Sequence, residues 1–146
     1  PLRVVQKFRG PSLVSEVPVV VALICTAILG CLLFGLGLAI SLRRFFTKDF
    51  YFGAGGPTSF TTKLSRAHGN TAEFAPFLAL LFLTAAFLGG PAWTEALMVG
   101  ATVSRLLVVI GFLTGATLER MSLPKAFGAV GTYGFGLGLV AALFVP

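Results

Sequence analysis

Charged residues are scarce in this sequence. Of its 146 residues only 11% are Asp, Glu, Lys or Arg, whereas 56% are hydrophobic, and the mean hydropathy is +0.95. An ordinary soluble domain carries about a quarter of its residues as charged side chains, because water must solvate its surface. The shortage of charge excludes a water-soluble globular domain and indicates that most of the surface faces lipid.

Cysteine and histidine are also few, and this restricts the chemistry available to the chain. Cys25 and Cys31 lie in one apolar run, six positions apart, so on a helix they point in different directions and do not pair. The sequence has no Cys-x-x-Cys pair and no Cys/His cluster, which excludes the common zinc motifs. No metal site is therefore predicted.

The net charge of +6 does not indicate a surface for nucleic acid. The basic residues form no continuous face but lie in the polar gaps between apolar runs, where Lys and Arg orient membrane proteins. We therefore predict no nucleic-acid partner. Most of these residues belong to one end of the predicted bundle, which then faces the cytoplasm or its equivalent: Arg43, Arg44, Lys48, Lys63, Arg66, Arg120 and Lys125.

Four long apolar runs occupy most of the chain. A membrane-spanning helix needs about 20 predominantly apolar residues. We predict helices over residues 17–42, 68–88, 92–118 and 125–145, preceded by a basic, interfacial segment at residues 1–16. These elements predict an all-α membrane protein with a single domain at residues 17–146, folded as a four-transmembrane-helix bundle. Such a multi-pass integral membrane protein has membrane lipids as its first partners.

A column of polar residues enters the second predicted span. Arg66, Asn70 and Glu73 fall at positions i, i+4 and i+7, so they lie on one face of a helix. Pro76 follows, removes one backbone hydrogen bond and is expected to kink the helix beside Glu73. Charged side chains at this depth are costly and normally face the interior of a bundle or a water-filled cavity. The column therefore indicates a buried polar site.

Arg105 is the only basic residue deep within an apolar run, in the third predicted span. It requires an anionic partner, and Glu73 is the best candidate. Glu95 is too remote, because it lies ten residues away on the same helix, about 15 Å along the axis. We predict a buried Glu73–Arg105 ion pair between the second and third helices. Such a pair either fixes the two helices structurally or belongs to a functional site.

Other enzymatic chemistry has little support around this column. No Ser or Cys nucleophile and no second carboxylate accompanies it, so acyl transfer and glycoside hydrolysis are not indicated. His68 falls at the membrane interface, where the sequence favours a hydrogen-bonding residue over a catalytic base.

The same residues form a pattern that resembles the signature of the MAPEG family, the membrane-associated proteins of eicosanoid and glutathione metabolism. Here the pattern reads Arg66-Ala67-His68-Gly69-Asn70-x-x-Glu73-x-x-Pro76, and its spacing is similar to that of the bacterial-type branch. The family includes the microsomal glutathione transferases. Further segments are similar to weaker family motifs, namely Ser41-Leu42-Arg43-Arg44, Ser104-Arg105 and Lys125-x-x-Gly128-x-x-x-Thr132.

The resemblance implies a four-helix subunit that assembles as a homotrimer and binds glutathione, its co-substrate, between neighbouring subunits. The residues that match binding or site-organising positions are Arg43, Arg66, His68, Asn70, Glu73 and Arg105. The arginine that activates the thiol in catalytic members corresponds to Lys125 or has shifted to Arg120. A cation near the sulfur lowers the pKa of the thiol and raises the thiolate fraction. A lipophilic substrate would enter from the bilayer.

The sequence departs from the family pattern in its third span. The family often has His or Tyr three positions after the span's arginine and Tyr seven positions after it, whereas this chain has Val108 and Phe112. Lys125 keeps a positive charge but lacks the planar fork of arginine. The polar groups associated with catalysis are therefore fewer here than in the family pattern.

Two hypotheses for the function remain. The leading one is a glutathione-dependent transferase or peroxidase that acts on lipophilic electrophiles. The alternative is a non-catalytic MAPEG-like protein that binds lipid or serves as a structural subunit of a larger membrane complex. A small transporter or channel has less support, because one intramembrane Arg and one Glu do not form a relay.

Overall fold

The computed structural model describes residues 16–48 and 56–145, and these residues form four α-helices. The helices are α1 (Glu16–Thr47), α2 (Phe60–Phe87), α3 (Trp93–Thr114) and α4 (Leu123–Ala142). The predicted all-helical bundle is therefore confirmed. The interfacial segment predicted at residues 1–16 lies outside the described residues except for its last position.

Three of the helices, α1, α2 and α3, are long and apolar enough to cross a membrane. α1 has 32 residues, which corresponds to about 48 Å at 1.5 Å per residue. The hydrocarbon core is only about 30 Å thick. α1 is therefore long enough to carry Arg43 and Arg44, near its C-terminal end, out of the hydrocarbon.

The observed helices differ from the predicted ones at their ends. α2 begins at Phe60 and not at residue 68, because its first two turns are polar yet place Thr61, Leu64 and Ser65 in the interior. α1 continues to Thr47 and not only to residue 42. A prediction based only on the length of an apolar run does not include such turns, because some of their buried side chains are polar.

The packing order places α2 and α3 at the centre of the bundle. α1 packs mainly on α2, α4 packs mainly on α3, and within the described residues α1 and α4 do not contact each other. The larger cluster of buried side chains includes Leu29, Phe82 and Met98, whereas the smaller one includes Leu36 and Val109. α4 is therefore covered by α3 and in part by α2, and α1 does not cover it.

Glycines let α3 and α4 approach each other closely. A Cβ atom at Gly128 would lie 2.6 Å from the backbone oxygen of Ser104, and one at Gly111 would lie 2.5 Å from the backbone nitrogen of Lys125. Gly131 also faces the hydroxyl of Ser104. Because lipid tails are as apolar as the helices, helices in a membrane associate through such close packing. Gly128 and Gly131 of α4 and Gly111 of α3 therefore let these two helices pack closely.

The outer surface of the bundle is strongly apolar. Phe34, Phe77 and Leu137, on α1, α2 and α4, are each more than two-thirds exposed. Soluble monomers rarely expose large apolar patches, because such surface drives association in water. This surface is suited to the hydrocarbon of a bilayer, as the composition predicts.

Candidate functional site

A cavity of about 310 Å³ lies between α2, α3, α4 and the connection that joins the last two helices. Four of its lining residues have charged or amide side chains: Arg66, Asn70, Arg105 and Lys125. The other lining residues are mostly aromatic and aliphatic: Phe74, Val108, Phe112, Leu118, Met121, Ala129, Thr132 and Tyr133. Residues from three helices that the sequence assigns to a site therefore meet in one cavity.

Arg105 is bound by Asn70 and not by Glu73. The side chain of Arg105 is only 1% exposed. Its Nη2 atom donates hydrogen bonds to two oxygens of Asn70, the side-chain Oδ1 at 2.8 Å and the backbone oxygen at 3.0 Å. The Nε atom of Arg105 is buried without a partner among the described residues. The guanidinium therefore retains donor capacity beyond its contacts with α2.

The predicted buried Glu73–Arg105 ion pair is wrong. Glu73 is exposed, and within the described ranges Arg105 bonds to Asn70 and forms no ion pair with Glu73. The physical reason is rotation around α2: Asn70 and Glu73 differ by about 60° around a helix of 3.6 residues per turn. Asn70 points across to α3, and Glu73 points to the outside of the bundle.

The ring of Phe74 contacts both Arg105 and Tyr133. The Arg105 guanidinium lies over the ring of Phe74, 4.9 Å from its centroid. The Phe74 ring also makes a T-shaped contact with the Tyr133 ring of α4, with ring centroids 5.7 Å apart and planes at 77°. Cation–π contacts of this kind stabilise a desolvated guanidinium. Phe74 thus links the buried cation of α3 to the phenol of α4.

A second, smaller cavity of about 190 Å³ adjoins the first along α2. Arg66, Asn70 and Phe112 line both cavities, and Glu73 lines only the smaller one. The predicted column is therefore present as one face of α2. Its arginine and carboxylate are both exposed, so they are accessible to a ligand or to a neighbouring molecule.

Lys125 organises the connection between α3 and α4. Its Nζ donates hydrogen bonds to the backbone oxygens of Leu118 at 3.1 Å and Arg120 at 3.2 Å, and it lies 5.3 Å from the centre of the Phe112 ring. The side chain of Arg120 is exposed and does not line the larger cavity. Of the two residues predicted to be catalytic, the structure brings only Lys125 to this cavity.

Replacing Lys125 with methionine is expected to loosen residues 115–122 without unfolding the bundle. The change keeps the apolar stem but removes both hydrogen bonds to the connection, which are together worth about 1.4 kcal/mol at this partly exposed site. Amide hydrogen exchange in residues 115–122 should therefore accelerate about tenfold, as measured by mass spectrometry. Exchange that remains slow there would show that the ammonium does not hold the connection.

Arg43 and His68 lie on the other side of the subunit, between α1 and α2. Arg43 Nε donates a hydrogen bond to the hydroxyl of Thr61 at 2.9 Å, and its guanidinium lies 5.1 Å from the centre of the Phe60 ring. His68 packs against α1, where a Cβ at Gly37 would lie 3.2 Å from its Nε2. Neither residue lines the larger cavity of this chain.

Tyr133 is a lining residue of the cavity that was not predicted from the sequence. Its ring contacts the ring of Phe74. A signal was available, because Lys125, Ala129 and Tyr133 fall at positions i, i+4 and i+8 and share one face of α4. The family pattern has its additional His or Tyr positions on α3 and ends at Thr132 on α4, so it does not include Tyr133.

Comparison with known proteins identifies the family of the chain. The model of the MAPEG family matches residues 22–145, which is most of the chain and includes all four helices in whole or in large part. No curated protein and no solved structure matches the chain. Because this match covers most of the chain, the chain belongs to the MAPEG family. It is a multi-pass integral membrane protein of the kind associated with glutathione or eicosanoid metabolism.

Proposed function

We propose that this chain is a glutathione-dependent transferase or peroxidase that acts on lipophilic electrophiles within the membrane. The observation that carries the proposal is the meeting of three cations, Arg66, Arg105 and Lys125, at a cavity whose other lining residues are mostly apolar. Glutathione carries two carboxylates and one ammonium group. A site for it therefore needs several cations and a nearby anion in a restricted space.

The residues of the cavity fit this substrate. Its volume of about 310 Å³ is at the lower end of the range for small-molecule sites. Arg66 and Arg105 are suited to carboxylates, because guanidinium groups bind them through two parallel hydrogen bonds. Glu73, in the adjoining cavity, supplies an anion for the ammonium group. The buried Nε of Arg105 provides one donor that no described residue uses.

The positive charge of the cavity also favours ionisation of the glutathione thiol. A thiol becomes a nucleophile as its thiolate, and neighbouring cations raise the thiolate fraction at neutral pH. Arg105 lies in the apolar interior, where charge interactions are stronger than in water. Val108 and Phe112 make the rest of the cavity suitable for a lipophilic second substrate that arrives from the bilayer.

The proposed assembly is a homotrimer with the site completed by a neighbouring subunit. Arg43 and His68 match binding positions of the family pattern, yet they lie on the α1–α2 side of their own subunit. In a ring of subunits, the α1–α2 side of one copy can meet the open cavity of the next. Arg43 and His68 would then contribute to the neighbour's site.

The proposal is tested by glutathione binding to the detergent-purified trimer, measured by calorimetry. Replacing Arg66 with glutamine should lower the affinity at least tenfold, about 1.4 kcal/mol, because an exposed cation that contacts a carboxylate is lost. Lys63→Gln is the matched control, since Lys63 lies one turn earlier on α2 and lines neither cavity. A folded trimer that binds no glutathione, or equal effects of both changes, would contradict the proposal.

The second candidate function is a non-catalytic lipid-binding protein or a structural subunit of a larger membrane complex. It is favoured by the absence of polar side chains at Val108 and Phe112 and by the use of the Lys125 ammonium for backbone carbonyls. Isolation from the native membrane distinguishes the two candidates. A free trimer favours the enzyme, whereas one copy bound to other subunits favours the structural role.

A further inference from the structure

Tyr133 lines the cavity, and its phenol hydroxyl has no partner among the described residues. Its side chain is 60% exposed, and the hydroxyl forms no hydrogen bond with any residue of 16–48 or 56–145. The ring is held by its edge-to-face contact with Phe74. A hydroxyl in apolar surroundings is costly unless it finds an acceptor. The structure therefore presents a fixed donor that is available to a ligand.

The other hydroxyl in the cavity wall is already used. The hydroxyl of Thr132 donates to the backbone oxygen of Gly128 at 2.7 Å, and the ammonium of Lys125 donates to two backbone carbonyls. Val108 and Phe112 carry no polar group. Among the described residues that line the cavity, Tyr133 thus has the one hydroxyl that is free to bind a neutral acceptor.

Tyr133 lies at the end of the cavity that is deeper in the membrane. α2 begins and α3 ends on the same side of the bundle, because the Leu118 nitrogen donates to the Pro57 oxygen at 3.1 Å. Phe74 and Tyr133 lie eight residues beyond Arg66 and Lys125 on their helices, about 12 Å further from that side. Arg66 and Lys125 thus lie towards the polar end of the cavity, whereas the phenol lies deeper, on the Phe74 ring that also contacts the buried Arg105.

We propose that Tyr133 determines the class of electrophile: its hydroxyl donates a hydrogen bond to an oxygen conjugated to, or part of, the reacting group. The proposal rests on the proposed function. With an α,β-unsaturated carbonyl, the thiolate sulfur bonds to the β-carbon and the carbon–carbon π electrons move to form an enolate. Tyr133 stabilises the negative charge on the enolate oxygen. The enolate then takes a proton from solvent at the α-carbon.

The test compares two lipophilic electrophiles of equal chain length in the full-length protein supplied with glutathione. One is an α,β-unsaturated ketone and the other is a primary alkyl iodide, which has no oxygen acceptor and loses iodide when sulfur bonds to carbon. Tyr133→Phe should lower kcat/KM for the ketone by about 10- to 100-fold and leave that for the iodide within about twofold. Equal losses for both substrates, or no loss for the ketone, would overturn the proposal.

A spectroscopic measurement keeps this test separate from turnover. Binding of the isotope-labelled ketone in the absence of glutathione should lower its carbonyl stretching frequency in the unmodified protein but not in Tyr133→Phe. Without glutathione binding, the proposed function fails, whereas the infrared shift still decides the role of Tyr133. An identical carbonyl frequency in both proteins would overturn that role even in an active transferase.

Discussion

Replacing Gly128 with alanine should destabilise the protein by about 2–3 kcal/mol, because a single methyl group would separate α3 from α4. The new Cβ would lie 2.6 Å from the backbone oxygen of Ser104 and 2.7 Å from the backbone nitrogen of Val108. Backbone atoms cannot rotate away as the end of a side chain can, so the helices themselves must move. Resistance to unfolding by sodium dodecyl sulfate, followed by circular dichroism, measures the loss.

Gly134→Ala is the matched control on the same helix. A Cβ at Gly134 meets no atom within 4 Å, and alanine favours a helix over glycine by about 0.5–1 kcal/mol. We therefore expect this variant to be as stable as the unmodified protein or slightly more stable. Similar stability of the two alanine variants would show that contact between α3 and α4 is looser than the structure indicates. In a trimer, loss of stability at Gly134 alone would instead indicate that this position packs against a neighbouring subunit.

Much of the fold could be predicted from the sequence because the membrane imposes simple rules. An apolar run of sufficient length becomes a helix, since every backbone polar group must be hydrogen-bonded within its own segment. The start of α2 could not be predicted in this way. Its first turns, Phe60–Ala67, are too polar to be predicted as a membrane span. They are helical because residues about one turn apart, such as Thr61 and Leu64, pack in the interior.

The candidate site could be predicted only in part. The sequence placed Arg66, Asn70 and Glu73 on one face of α2, and the structure agrees. It could not show how α2 is rotated relative to α3, and that rotation makes Asn70 the partner of Arg105. Charge complementarity favoured the carboxylate, yet a neutral amide avoids the cost of removing a second ion from water. Tyr133 was not predicted, because the family pattern on α4 ends one residue earlier, at Thr132.

Replacing Asn70 with leucine should reduce the free energy of unfolding by about 2–3 kcal/mol. The change removes the side-chain oxygen that lies 2.8 Å from Arg105 and leaves part of a buried guanidinium unsatisfied, which costs more than an ordinary lost hydrogen bond. The bond from Arg105 to the backbone oxygen of residue 70 remains, so complete unfolding is not expected. Unfolding in sodium dodecyl sulfate measures the effect.

The double variant Asn70→Leu/Arg105→Met separates stability from function. Apolar side chains at both positions remove the unsatisfied charge, so the double variant should be at least about 1 kcal/mol more stable than Asn70→Leu alone. Glutathione binding should nevertheless be lost, because the buried cation of the cavity is absent. A buried arginine in a membrane is costly and is expected to have a functional reason. A double variant that is less stable than Asn70→Leu alone would instead assign Arg105 to the stability of the bundle.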